Sequence, residues 1–366
     1  LWSGRDSGHR VAAALMVPAQ YDSLRLRRNN FDLLRLLLAG TVCLVHSYDL
    51  SGIQQLAWLA RLLSPAVAVK AFFVVSGFLI FMSFERSSSL AAYAAKRVRR
   101  IYPAYFTVVV LCAFGLAAVS TKSLADYFSM AFGRYLVANL VFLNFLQPSL
   151  PGVFETNALS AVNGALWTLK IEVMFYLAVP LFVLLFRRFS RLPVLLVVYC
   201  LSVAYAVLLT AVARRTGSAL YLELARQLPG QLSYFMAGAF FYYFLPLFER
   251  RTASFVMAAA LILVVDTIYP LPFLEPMALA AVVVLFALFF YVGNFAKYGD
   301  FSYGVYIIHF PVIQLLVQAG YCRESPGLFL TTVILLTVLG AVAMWHLVEK
   351  RFLFRNSHYL AGTSSS

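Results

Sequence analysis

Charged side chains are what this chain has least of. Asp, Glu, Lys and Arg make up 12% of its 366 residues, about half the share usual in a soluble globular domain, which excludes a water-soluble fold. Acidic residues are scarcer still, 15 against 29 Lys and Arg. In a soluble protein the net charge of +14 would point to nucleic acid. Here 62% of residues are hydrophobic and mean hydropathy is +0.84, so the sign of the charge reads as a topology signal. Cysteine is limited to Cys43, Cys112, Cys200 and Cys322. No two of them have CxxC or metal-ligand spacing, so neither a disulfide framework nor a zinc site is indicated. The alternating pattern of outer-membrane strands is absent, as is an inverted repeat of the transporter kind. Val74 stands where an intramembrane serine protease would carry glycine two residues before Ser76.

Long apolar runs are what the chain has in abundance. Ten of near 20 residues can be placed, at about 31–50, 65–83, 101–119, 165–186, 192–213, 229–248, 253–269, 273–293, 301–319 and 328–347. Only helices or closed barrels satisfy the backbone in lipid. The expected fold is therefore an all-α polytopic membrane protein with about ten transmembrane helices. With the N-terminus inside, 19 Lys and Arg fall in inside segments and 7 in outside ones, leaving Arg35, Lys70 and Lys170 within spans. The positive-inside rule thus predicts two cytoplasmic termini. Residues 1–28 read as a cytoplasmic tail, because the run Val11–Val17 is thin for a signal peptide and Arg25, Arg27 and Arg28 follow it; Met16 is a candidate initiator. Residues 29–352 form the membrane domain and 353–366 a second cytoplasmic tail. The break at 120–164 falls outside, and its aromatic-rich stretch Tyr127–Leu146 predicts an interfacial or re-entrant helix.

An ionisable group inside such a run costs about 3 kcal/mol on insertion scales, so each is a functional candidate. Arg35 and His46 lie eleven residues apart in the first run, within about 20° of one helix face and about 16 Å apart along its axis. Arg35 is also close enough to the helix start to snorkel, and His46 alone fits an interfacial site; their shared face favours chemistry. Counted from the run ends, Glu172 reaches a depth similar to that of His46, in the outer third with Lys70 and Lys170. An imidazole beside a carboxylate is an oriented general base. The structural alternative pairs Glu172 with Lys70 or Lys170. At the inner face stands Lys96-Arg97-Val98-Arg99-Arg100-Ile101-Tyr102-Pro103. It reads either as a topology signal or as a phosphate site, since Arg97 and Arg100 share a face at i, i+3. By the same count His309 lies about 12 Å from the inner face, lining a channel or packed at the kink before Pro311. Cys43 reads as a small packed apolar side chain.

In this order and spacing the chain resembles the acyltransferase 3 family of integral-membrane O-acyltransferases, over about residues 29–352. The residues that carry the resemblance are Asn30-Phe-Asp32 with Arg35 and His46; Phe72-Phe-Val-Val-Ser-Gly-Phe78; Arg97, Arg100 and Ile101-Tyr-Pro103; Trp167-Thr-Leu-Lys-Ile-Glu172 with Phe175-Tyr176; Ser302-Tyr-Gly-Val-Tyr306 with His309; and Glu349-Lys350. The resemblance implies transfer of an acyl group, usually acetyl, from cytoplasmic acyl-CoA to a hydroxyl of an envelope polysaccharide or glycan precursor across a bacterial inner membrane. It implies that His46 and Glu172 are catalytic and that Arg35, Arg97 and Arg100 bind the donor. Trp167, Tyr306 and His309 of these motifs, with Lys70 from its depth in the second run, are candidates for lining the substrate site or a channel, and no metal is called for. One departure is Thr168, where the family commonly has serine. From the residues alone, a transporter with an anion or proton site at Arg35, Lys70, Lys170 and Glu172 is the rival. A non-catalytic partner of glycan synthesis is a third reading.

Overall fold

The computed structural model describes residues 24–321 and 324–354. Most of the two expected tails, the run Val11–Val17, Met16 and Cys322 lie outside the described residues. Each of the ten long apolar runs holds a helix: α1 (Phe31–Ser51), α2 (Pro65–Glu85) and α3 (Leu90–Gly115) precede the long break, which itself contains α4 (Met130–Leu140). After it come α5 (Trp167–Phe189), α6 (Arg191–Thr216), α7 (Leu228–Tyr243), α8 (Thr252–Asp266), α9 (Glu275–Phe289), α10 (Ser302–Gln318) and α11 (Pro326–Met344). No strand occurs among the described residues. The fold is an all-α polytopic membrane fold. Six helical stretches, those built on α1, α2, α3, α5, α6 and α11, are long and apolar enough to cross a membrane by length and composition. The apolar helices α8, α9 and α10 are shorter, 15, 15 and 17 residues. With 11 residues, α4 measures about 16 Å and is too short for an apolar core about 30 Å thick.

Two interior prolines show how such helices stay satisfied. Proline lacks an N–H, so the carbonyl four residues before it loses its helical partner. In α5 the residue is Pro180, and the Tyr93 hydroxyl donates to the freed Tyr176 carbonyl at 3.1 Å. In α10 it is Pro311, and Asn163 Nδ2 donates to the freed Ile307 carbonyl at 2.8 Å.

The chain divides into two compact units. The first takes in the described residues up to Phe31, Lys70–Tyr93 and Ile171–Asn294. Within it α2 and α7 approach at their glycines: a methyl group on Gly77 would strike the Phe235 carbonyl, and one on Gly238 the Val74 carbonyl. Small residues are how membrane helices reach such close packing. Phe175 stacks on Phe235 beside this crossing, with ring centroids 4.2 Å apart. Asn30 closes the C-terminal end of α9, its side chain donating to the Phe286 and Phe290 carbonyls and accepting from Val292 N–H at 3.0 Å; these are end groups that a helix leaves unpaired.

The second unit takes in Asp32–Val69, Ala94–Lys170 and the described residues from Phe295 onward. Its central element is α10, buried on nearly all sides from Ser302 to Ile313. Gly304 faces Ala341 of α11 so closely that a Cβ would lie 2.8 Å from the Ala341 Cα. Gln314, fully buried, donates to the carbonyls of Leu159 and Ala161 at 2.6 and 2.8 Å. The end of the 120–164 segment is thereby tied to α10.

Candidate active site

Within the second unit α1 and α10 run side by side in the same direction, joined at two levels. At the lower level Arg35 of α1 meets Asp300, two residues before α10, with Nη1 2.6 Å from Oδ2. Arg100 of α3 binds the same oxygen through Nη2 and reaches Glu349 Oε2 through Nη1 at 3.1 Å. Ser302 adds two bonds to this carboxylate, its backbone N–H and its hydroxyl both donating to Asp300 Oδ1. Asp32 lies 4.0 Å from Arg35, one turn away. The carboxylates of Asp300 and Glu349 are almost wholly buried, with side chains 1% and 2% exposed. Burial alone would push the Asp300 carboxyl up, but Arg100 and Arg35 beside it, helped by Ser302, hold it well below the usual carboxylate range. A charge as deep as this persists only when paired.

Glu349 reaches Arg100 from a turn of π-helix, Trp345–Glu349, that follows α11; such turns recur at functional positions. Asp300 depends on its neighbour Gly299, whose φ of +111° suits glycine alone and whose Cβ would run into the Trp345 indole. Gly299→Ala is therefore expected to displace the loop and loosen the cluster. A lowered midpoint of thermal unfolding in detergent checks this, and an unchanged midpoint would show that the loop adapts.

At the upper level His46 Nδ1 lies 3.0 Å from His309 Nε2, with the rings stacked and their centroids 5.2 Å apart. The other ring nitrogen of His309, Nδ1, lies 3.1 Å from the Val305 carbonyl. A carbonyl only accepts, so Nδ1 carries the proton and a neutral His309 leaves Nε2 as acceptor. His46 Nδ1 must then donate, and the lone pair of His46 sits on Nε2. The pair fixes which nitrogen of His46 can take a proton. His309 is fully buried, and Phe310 meets the His46 ring edge-on at 5.7 Å. Tyr306, one turn before His309, shares a 2.8 Å hydrogen bond with the Thr168 hydroxyl. Threonine thus keeps the hydroxyl that the family's common serine would supply.

The sequence count set His309 about 10 Å below His46; the two imidazoles instead share one level. The count assumed that both helices start at the same depth. Asp300 corrects this, because its bond to Arg35 starts α10 higher than α1. From Asp300 to His309 is nine residues and from Arg35 to His46 eleven, about 13 and 16 Å. The other candidates lie as follows. Arg97 sits half-buried on α3, one turn from Arg100. Trp167 opens α5, and Lys170 lies over the Phe145 ring at 4.4 Å. Glu172 belongs to the first unit and accepts from the Tyr176 hydroxyl at 2.5 Å. Lys70, also in the first unit, pairs with Glu275 at 3.2 Å, a different partner from the Glu172 of the structural alternative. Cys43 is buried, in keeping with a packed apolar side chain.

Two residues of the cluster escaped sequence reasoning as functional groups. Glu349 was visible only as a motif letter. Asp300 had a signal: in so acid-poor a chain, an Asp two residues ahead of a Ser-led helix start is conspicuous.

A profile of the acyltransferase 3 family, described as an acyltransferase domain, matches residues 28–346. The chain belongs to this family. As a membrane acyltransferase it is 28% identical over 349 residues to an O-acetyl transferase of Shigella phage Sf6, covering 92% of this chain and 99% of the phage protein. It is 33% identical over 183 residues to nodulation protein 10 of Rhizobium leguminosarum bv. viciae, covering 46% of this chain and 48% of the relative. To the acyltransferase MdmB of Streptomyces mycarofaciens it is 29% identical over 135 residues, 37% of this chain and 32% of the relative. No solved structure matches the acyltransferase. Membership decides for an enzyme over the transporter reading: the protein carries out O-acyl transfer, which requires an acyl donor and a hydroxyl-bearing acceptor.

Proposed function

We propose that this acyltransferase takes its acyl group from acyl-CoA, with acetyl-CoA the usual donor, on the cytoplasmic side of a bacterial inner membrane. It passes the group to a hydroxyl of an envelope glycan or glycan precursor on the other side. The observation that carries the reading is the His46–His309 pair, whose tautomers leave His46 Nε2 as a base. It stands on the same helix as the ion-paired Arg35, about 16 Å away. Arg35, Arg97 and Arg100 mark the donor end, at the face that the charge asymmetry makes cytoplasmic. The acetyl group agrees with the name of the phage relative.

In this reading His46 Nε2 accepts the proton of the acceptor hydroxyl as its oxygen attacks the thioester carbonyl. The C–S bond breaks, the acyl group stays on the acceptor oxygen, and the thiolate leaves with the proton returned by the imidazolium. His309 takes the orienting role that the sequence reading gave to Glu172. Trp167, in the same unit as His46, is left to the acceptor's surroundings. Only the acyl arm need enter the membrane, so the charged end of the donor stays in water.

The test uses purified protein in nanodiscs with labelled acetyl-CoA and a mixture of glycan precursors. Label on glycan with matching release of CoA is the expected result. No CoA binding or release by well-folded protein would overturn the donor assignment, and label retained on denatured protein would replace direct transfer with an acyl-enzyme.

A further inference from the structure

Beside the lower ion cluster, between the loop at Lys297–Phe301 and the π turn, the second unit holds a cavity of about 590 Å³, within the range of small-molecule sites. Its lining has two chemistries. Lys297, Lys350 and His346 bring positive charge or hydrogen-bond donors, and Tyr298, Phe301 and Trp345 bring ring faces and edges. No lining residue is acidic. A smaller cavity of about 190 Å³ shares Tyr298, Gly299 and Phe301 with it and continues to Asp32, Asp300 and Ser302. Its inner end is thus the carboxylate that holds Arg35. The two cavities thus flank the same Tyr298–Phe301 stretch, one basic and aromatic, the other at the foot of the helix that carries His46.

Cations beside aromatic rings fit a ligand that has both anionic groups and a flat heterocycle. Lysine is a mobile point charge that follows phosphate oxygens without demanding one geometry, and purine bases stack on aromatic rings. Lysine ammonium groups also answer a need here, because Arg100 is engaged by Asp300 and Glu349. We propose that the larger cavity binds the nucleotide end of acyl-CoA, with the phosphates on Lys297 and Lys350, the adenine against Tyr298 and Phe301, and the pantetheine arm leaving through the smaller cavity toward Arg35. The proposal rests on acyl-CoA being the donor. An anionic lipid headgroup offers the phosphate without the heterocycle, which separates the two.

The experiment measures binding of adenosine 3′,5′-bisphosphate, a fragment with no acyl arm, to the full chain in nanodiscs of constant lipid composition, with inorganic pyrophosphate as the second probe. Lys297 and Lys350 are exposed, so their replacement by Gln leaves the fold intact, which an unchanged unfolding midpoint verifies. The double variant K297Q/K350Q is expected to bind the fragment roughly ten- to a hundredfold more weakly and to raise KM for acetyl-CoA while kcat holds. Tyr298→Ala is expected to weaken the fragment and spare pyrophosphate. Failure of the fragment to bind wild-type protein, equal binding to the double variant, or pyrophosphate competing as well as the nucleotide would each overturn the proposal. Acetyl-CoA turnover unchanged in the double variant overturns the cavity assignment and leaves the donor reading standing. Lysine-dependent fragment binding without acetyl-CoA turnover upholds a nucleotide site and removes the donor reading.

Discussion

Replacing His46 by Ala is expected to lower kcat for acyl transfer by about 10²- to 10⁴-fold, the usual yield of a positioned general base, with affinity for acyl-CoA retained. The expectation follows from separation along one helix. His46 lies three turns from Arg35, so its loss leaves the ion cluster and both lower cavities untouched. The pair geometry adds a finer result. His309 hydrogen-bonds the nitrogen that orders His46 and leaves Nε2 free of it, so His309→Ala should lower kcat by less than His46→Ala, without changing KM for the donor. It should also move the pH profile of kcat, because the His46 proton is no longer held on Nδ1. Full transfer by a stably folded His46→Ala protein would remove His46 from the chemistry. A His309→Ala protein that loses donor binding in step with kcat would make His309 a packing residue and nothing more.

The second large effect is on stability. Asp300→Asn leaves the guanidinium groups of Arg35 and Arg100 facing an amide, with side chains only 18% and 10% exposed. Removing one partner of a buried charge pair costs about 3–5 kcal/mol. Glu349 still pairs with Arg100, which points to the lower end. Thermal unfolding in detergent reads the change, and a wild-type midpoint in Asp300→Asn would show that the cluster does not hold the fold. The pH dependence has a definite sign. The folded pKa of Asp300 lies below its unfolded value, so its contribution is present in full above the ordinary carboxylate range, about pH 4. It is lost as pH falls toward the depressed folded value. Wild-type stability should therefore be flat above about pH 5 as far as Asp300 is concerned. The acid-side loss due to this group should disappear in Asp300→Asn.

Hydropathy marked the long runs in which the described residues form helices, because lipid forces the backbone to satisfy its own hydrogen bonds and apolar runs of helical length have no other solution. It also exposed Arg35 and His46, since a chain this poor in charge rarely carries an ionisable group at depth without a use. Periodicity put the two on one face. The partner of His46 was not legible in the same way. Counting residues from the start of each run gives depth only if the helices begin at one level, and the ion pair between Asp300 and Arg35 sets α10 higher than that. The π turn that brings Glu349 to Arg100 has no hydropathy signal, and neither does the use of Asn163 to cap the carbonyl freed by Pro311. A single sequence records which groups are buried along each helix. The register between helices depends on a few long-range polar contacts and on glycine approaches such as Gly304 against Ala341, and those exist only once the chain is packed.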